Sequence, residues 1–121
     1  MSSAAQAYAR TSQTTAPPRE IEAQALLKAA RQLQEVQTNW SGPDKNMHSA
    51  LLFNRRLWTI FMSAATSDNN PNSLDVRQNI ANLGVFVMKQ TLEMQINPDP
   101  AKLRTLIEIN RNIAAGLSGR V

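Results

Sequence analysis

The residues able to do chemistry in this chain are few, and their spacing points away from catalysis. There is one histidine, His48, and no cysteine, so the chain offers neither a pair of imidazoles nor a thiolate to a metal ion. Glu20 and Glu22 stand two residues apart, which on a helix sends their carboxylates to different faces. Gly42, Gly84, Gly116 and Gly119 are isolated, so no phosphate-cradling loop is present, and no serine stands in a nucleophile-elbow context. No catalytic residue, metal ligand or cofactor is therefore expected. The polar residues that stand out are two asparagines. Asn54 shares a face with Met47, Leu51, Leu57, Trp58 and Phe61, and Asn110 with Leu103, Leu106, Ile107, Ile113, Ala114 and Leu117. Each interrupts an otherwise apolar helical stripe. A buried amide without partners costs about 1–3 kcal/mol, so each must find a hydrogen bond. Their chemistry is the fixing of register and partner choice between helices. Three outlets are open to them: pairing with each other, the favoured one, capping a gap in the backbone, or contact with a partner.

The elements that position these residues follow from the punctuation of the chain. Pro17-Pro18 opens a first helix, because proline suits a first turn, with Glu20 and Glu22 placed where acids favour the helix dipole. Ala23, Leu26, Leu27, Ala30, Leu33 and Trp40 continue at helical spacing, and the helix should fade before Ser41. Ser41-Gly42-Pro43-Asp44 reads as a break, a serine cap, a first-turn proline and an acid. The second helix runs from there to about Ala65. Asp68-Asn69-Asn70-Pro71-Asn72-Ser73 is a loop. A third helix spans Leu74 to about Gln95, and its centre, Val85-Phe86-Val87-Met88, is apolar most of the way round. That composition predicts the most buried helix, or one with two packed faces. Asp99 and Pro100 cap and open a fourth helix that should end near Gly116 as a left-handed cap.

Four helices with short loops predict an all-α fold, a small antiparallel bundle of about four helices. Residues 1–16, rich in Ala, Ser, Thr and Gln, are expected to form a mobile arm in which Tyr8 is an anchor, and residues 17–121 a single bundle domain. With 121 residues, 42% of them hydrophobic and 18% charged, the chain suits one soluble domain with a modest core. The longest apolar run, about Leu83 to Met88, is far too short to span a membrane, and the start lacks the early positive charge and apolar core of a secretory signal. A cytoplasmic location is expected. The net charge of +4 invites a nucleic-acid reading, yet the thirteen Lys and Arg residues are spread from Arg10 to Arg120 with acids between most of them. A solvated surface of mixed charge is favoured over a binding footprint.

Asn54-Arg55-Arg56-Leu57-Trp58, the loop followed by Arg77, Leu83 with Phe86-Val87, and Leu106-Ile107-Glu108-Ile109-Asn110 ending in Gly116-Leu117 together resemble the FlaF family of flagellar regulators of alphaproteobacteria. Tyr8-Ala9 and Pro18-Arg19-Glu20-Ile21-Glu22-Ala23 match that family's opening, so the similarity runs from about residue 8 to 117. The chain departs from the pattern in a longer asparagine-rich loop at 67–73 and a longer end to the third helix. The resemblance implies a small cytoplasmic protein needed for flagellin production and filament assembly, acting with or against a second regulator, FlbT. It implies a flagellin-specific export chaperone that covers amphipathic flagellin helices by helix-in-groove contact. The candidate partner-binding residues are Tyr8, Asn54, Leu57, Trp58 and Asn110, on the arm and the second-helix face. Two other readings stand beside this one: an RNA-binding regulator of the flagellin message, whose binding would weaken steeply with salt, and an adaptor bridging flagellin to other regulators.

Overall fold

The computed structural model describes residues 18–119, and four α-helices carry most of them: α1 (Pro18–Thr38), α2 (Lys45–Ala65), α3 (Leu74–Ile96) and α4 (Leu103–Leu117). A single 3-10 turn, Pro100–Lys102, leads into α4. The fold is an antiparallel bundle. Hydrogen bonds from Ser118 to Glu20 and from Gln37 to the Pro100 carbonyl tie the ends of α1 to opposite ends of α4. Arg19 donates to Asn72 at 3.0 Å, which pins the start of α1 beside the loop joining α2 to α3.

The four helices enclose one contiguous core, and they contribute to it unequally. The most extensive contact is between α1 and α4. On α1 the buried positions are Ala23, Leu26, Ala29, Ala30 and Leu33, and the small alanines allow the α4 backbone to come close. Leu103, Leu106, Ile107 and Ala114 of α4 fill the other side. The second large contact pairs α2 with α3. A Cβ placed on Gly84 would run into the Met62 side chain, so glycine sets how near these two helices lie. By contrast α3 shares little contact with α4, and its C-terminal end is tied to the 3-10 turn. There Lys102 donates to Glu93 at 3.1 Å and to the Asn97 carbonyl at 2.7 Å, and Gln90 donates to the Lys102 carbonyl.

Three expectations from the sequence change. The cap of α2 is Asp44, not Ser41: its extended backbone lets the side chain accept from the Met47 N–H at 2.9 Å. Gly42, at φ +114°, makes the preceding turn, so Pro43 precedes the cap and does not open the first helical turn. At the other terminus α4 runs through Gly116, because Leu117 still packs on the core. The left-handed residue is Gly119, at φ +72°. The third correction concerns α3. It has four buried residues among 23, against seven among 21 on α2, so it is not the most buried helix. Its inward face, Gly84, Val87, Thr91 and Met94, is packed, while the apolar residues on its far side meet solvent. α3 starts at Leu74 as expected, and Ser73 caps it by accepting from the Val76 N–H.

Candidate functional site

Asn54 and Asn110 are brought together in the centre of the bundle. The Trp58 indole donates to Oδ1 of Asn110 at 2.9 Å, and Nδ2 of Asn110 donates to Oδ1 of Asn54 at 2.7 Å. All three side chains are fully buried. The polarity of this relay is dictated by its first member. An indole N–H can only donate, so Asn110 must present its oxygen to Trp58 and its amide nitrogen to Asn54. Asn54 must then present its own oxygen. That leaves Nδ2 of Asn54 as the one buried side-chain polar atom without a hydrogen-bond partner among the described residues. Phe61 closes the relay with an edge-on contact to Trp58, ring centroids 5.7 Å apart at 89°. No member of the relay titrates near neutral pH. It links α2 to α4 in one register, and moving either helix by one residue would break two hydrogen bonds at once.

This geometry decides what the sequence-derived residues can do. The favoured pairing of Asn54 with Asn110 is what the structure holds. With no exposed surface, Asn54, Trp58 and Asn110 have nothing to offer a partner in this fold; their spacing is that of core residues. Leu57 is different, half-buried on the flank of α2 and reachable from outside. Tyr8 lies outside the described residues. The apolar residues of α2 divide in two: Trp58 and Phe61 point inward, while Phe53 and Leu57 line the edge.

That edge borders a cleft of about 580 Å³ at the elbow between α1 and α2. Val36, Trp40, Leu52 and Phe53 supply its apolar lining, and Glu35, Asp44 and Arg56 its charged rim. The Lys28 ammonium lies 5.3 Å from the centre of the Phe53 ring, a cation–π contact that holds the ring at the cleft margin. From Phe53 the apolar row continues along α2 to Leu57 and to Ile60, which is 63% exposed. Steps of four and three residues keep these side chains on one side of the helix. The sequence places Trp40 in the apolar stripe of the first helix, but α1 ends at Thr38, so Trp40 lies in the following turn, half-buried against the core and lining the cleft. Two carboxyls depart from their ordinary values. Burial pushes Glu22 up against the opposing pull of Arg19, and the hydrogen bond from Lys102, aided by Asn97, holds Glu93 down. They lie on different helices. Among the described residues no group of three or more His, Asp or Glu side chains gathers at metal-binding distance.

Fold and site together define a class: a small all-α bundle with an amide relay sealed in its centre and apolar side chains left on its outside. The chain belongs to the FlaF family, whose model, described as flagellar protein FlaF, matches residues 4–117. It is thus a flagellum-related protein. No curated protein and no solved structure matched the chain. No described helix is long and apolar enough to cross a membrane.

Proposed function

We propose that this protein is a cytoplasmic flagellin-binding export chaperone and regulator, and that it receives a flagellin helix along the cleft between α1 and α2. The observation that carries the reading is the row of Trp40, Phe53, Leu57 and Ile60 beside a cleft of about 580 Å³ in a chain of the FlaF family. An amphipathic segment laid there would bury its apolar side chains against two aromatics, the residue type that carries most binding energy at interfaces. The charged rim would orient it. Covering that segment would keep subunits from associating before export, and regulation of flagellin output would follow from how much subunit is held.

The test is co-purification of the protein with flagellin, followed by titration of two variants. Ile60→Glu alters only an exposed position, and Trp40→Ala removes the aromatic at the elbow. Each is expected to weaken flagellin binding about tenfold or more, roughly 1.4 kcal/mol. Binding that is unchanged in both variants, with folding intact, would remove the cleft from consideration. Steeply salt-dependent binding of the flagellin message leader, with no flagellin complex, would replace the chaperone reading by the RNA-binding one.

A further inference from the structure

The outer side of α3 carries a second apolar stripe with its own period. Leu74, Gln78, Ala81, Val85, Met88, Leu92 and Gln95 follow one another in steps of four and three residues, the a/d repeat of a coiled-coil seam. The stripe lies about a third of a turn from the packed face of Gly84, Val87, Thr91 and Met94. Most of it is open to solvent, although Met88 packs in part against the core. Leu74 is 73% exposed, Val85 47% and Leu92 56%, while Ala81 and Met88 are half-buried; Ile96, 62% exposed, adds to its end. Isolated exposed leucines need no explanation, but a heptad sustained over three repeats on one helix does.

We infer that this stripe is the interface between two copies of the chain, with α3 paired antiparallel against α3 of the second copy. The register follows from the repeat. Setting Val85 opposite Ala81 of the second copy also sets Leu92 opposite its Leu74 and Gln78 opposite its Met88. Val85 and the two leucines then meet apolar neighbours, Met88 faces Gln78, and no glutamine meets its own twin. A parallel pairing would stack Gln78 on Gln78 and Gln95 on Gln95 inside the seam. Charge selects the same arrangement. The positions flanking the stripe on its solvent side are Asp75, Asn82 and Lys89, all exposed. In the antiparallel register Asp75 comes within two residues, about 3 Å along the axis, of Lys89 of the second copy, and the two-fold repeats the pair. Asn82 falls beside the axis, next to Asn82 of the second copy. Neither Asp75 nor Lys89 has a salt bridge within the described part of its own chain. In this register the stretch from Leu74 to Leu92 of each copy overlaps, giving a seam about 28 Å long.

The experiment needs only the purified protein, without flagellin, so its outcome is independent of the cleft. Sedimentation equilibrium at low salt is expected to show a concentration-dependent dimer, and Val85→Glu with Leu92→Glu is expected to leave a monomer. Asp75→Lys and Lys89→Asp, made singly, should each weaken the dimer about five- to tenfold, because each brings like charges together twice. The double swap should restore it. Because the chain has no cysteine, engineered thiols report register without background. A mixture of Leu74→Cys and Leu92→Cys proteins should cross-link to each other, whereas each alone should not. A monomer at every concentration would overturn the inference. So would cross-linking of each cysteine variant to itself, a double swap that fails to restore pairing, or a dimer indifferent to both glutamates. If the protein is monomeric and the α3 glutamates abolish flagellin binding, the stripe belongs to the cargo and self-pairing is wrong.

Discussion

The centre of the bundle and the outer side of α3 present opposite solutions to the same problem, a helical stripe that must be specific about what it touches. In the centre, specificity is built from polar atoms in an apolar seam. Trp58, Asn110 and Asn54 are linked in one direction, and a register slip would strand buried donors and acceptors. On the outside, the seam is mostly apolar, broken by Gln78 and Gln95, and the charged groups flank it, where Asp75 and Lys89 stay solvated. The first arrangement is closed before any partner arrives. The second discriminates by charge at its rim, which costs little when unpaired and is sensitive to salt. The contrast implies that substitutions in the two regions should differ in kind: central ones read out as stability and outer ones as association.

The largest effect is expected at Trp58. Trp58→Ala should destabilise the fold by about 3–5 kcal/mol in denaturant unfolding, since it opens a large cavity, removes the edge-on contact to Phe61 and leaves Oδ1 of Asn110 without its donor. A loss below about 1 kcal/mol would mean that the relay region is loosely packed, and the comparison with the outer face would collapse.

Next comes an asymmetry between two residues of the same type. Asn110→Leu strands the Trp58 indole N–H and removes the donor to Asn54, so a loss of about 1–3 kcal/mol is expected. Asn54→Leu removes the already unpartnered Nδ2 and strands Nδ2 of Asn110 in its place. The number of orphaned donors stays the same, one hydrogen bond is lost and apolar contact is gained. The expected change is below about 1 kcal/mol. Equal losses in the two variants would show that Asn54 has a further bond through its Nδ2. Melting of both variants with the double mutant measures the coupling directly.

Much of this was legible in the sequence. The 3.6-residue period placed Asn54 and Asn110 in apolar stripes, and the cost of burying an amide required them to bond. Proline, asparagine and serine punctuation located the ends of all four helices to within a few residues. What periodicity cannot supply is depth. The run Val85-Phe86-Val87-Met88 looks like deep core by composition, yet Val87 is buried while Val85 and Phe86 are exposed. An apolar stripe records that something covers it, without saying whether the cover is the same chain. The same limit made Trp58 look like a partner contact when its spacing is that of the core. Trp40 was misplaced for another reason: its spacing fits the repeat of the first helix, but α1 ends at Thr38, two residues before it.

The smallest stability effect is expected where the substitutions look most severe. Val85→Glu with Leu92→Glu puts two carboxylates into an apolar stripe, which inside a core would cost several kcal/mol. On α3 both side chains are about half exposed, and their outward atoms already meet water. In dilute protein, where no second copy is bound, the double variant should unfold within about 0.5 kcal/mol of the parent, as surface changes usually do. At high concentration the parent alone should gain stability with concentration, because pairing of folded chains draws the equilibrium toward the native state. That divergence separates an intermolecular seam from a surface with no occupant, for which the two curves would coincide at every concentration. A loss of about 2 kcal/mol or more in dilute solution would point to a third situation, with the stripe covered inside the monomer. The closed centre and the open flank would then be two parts of one core.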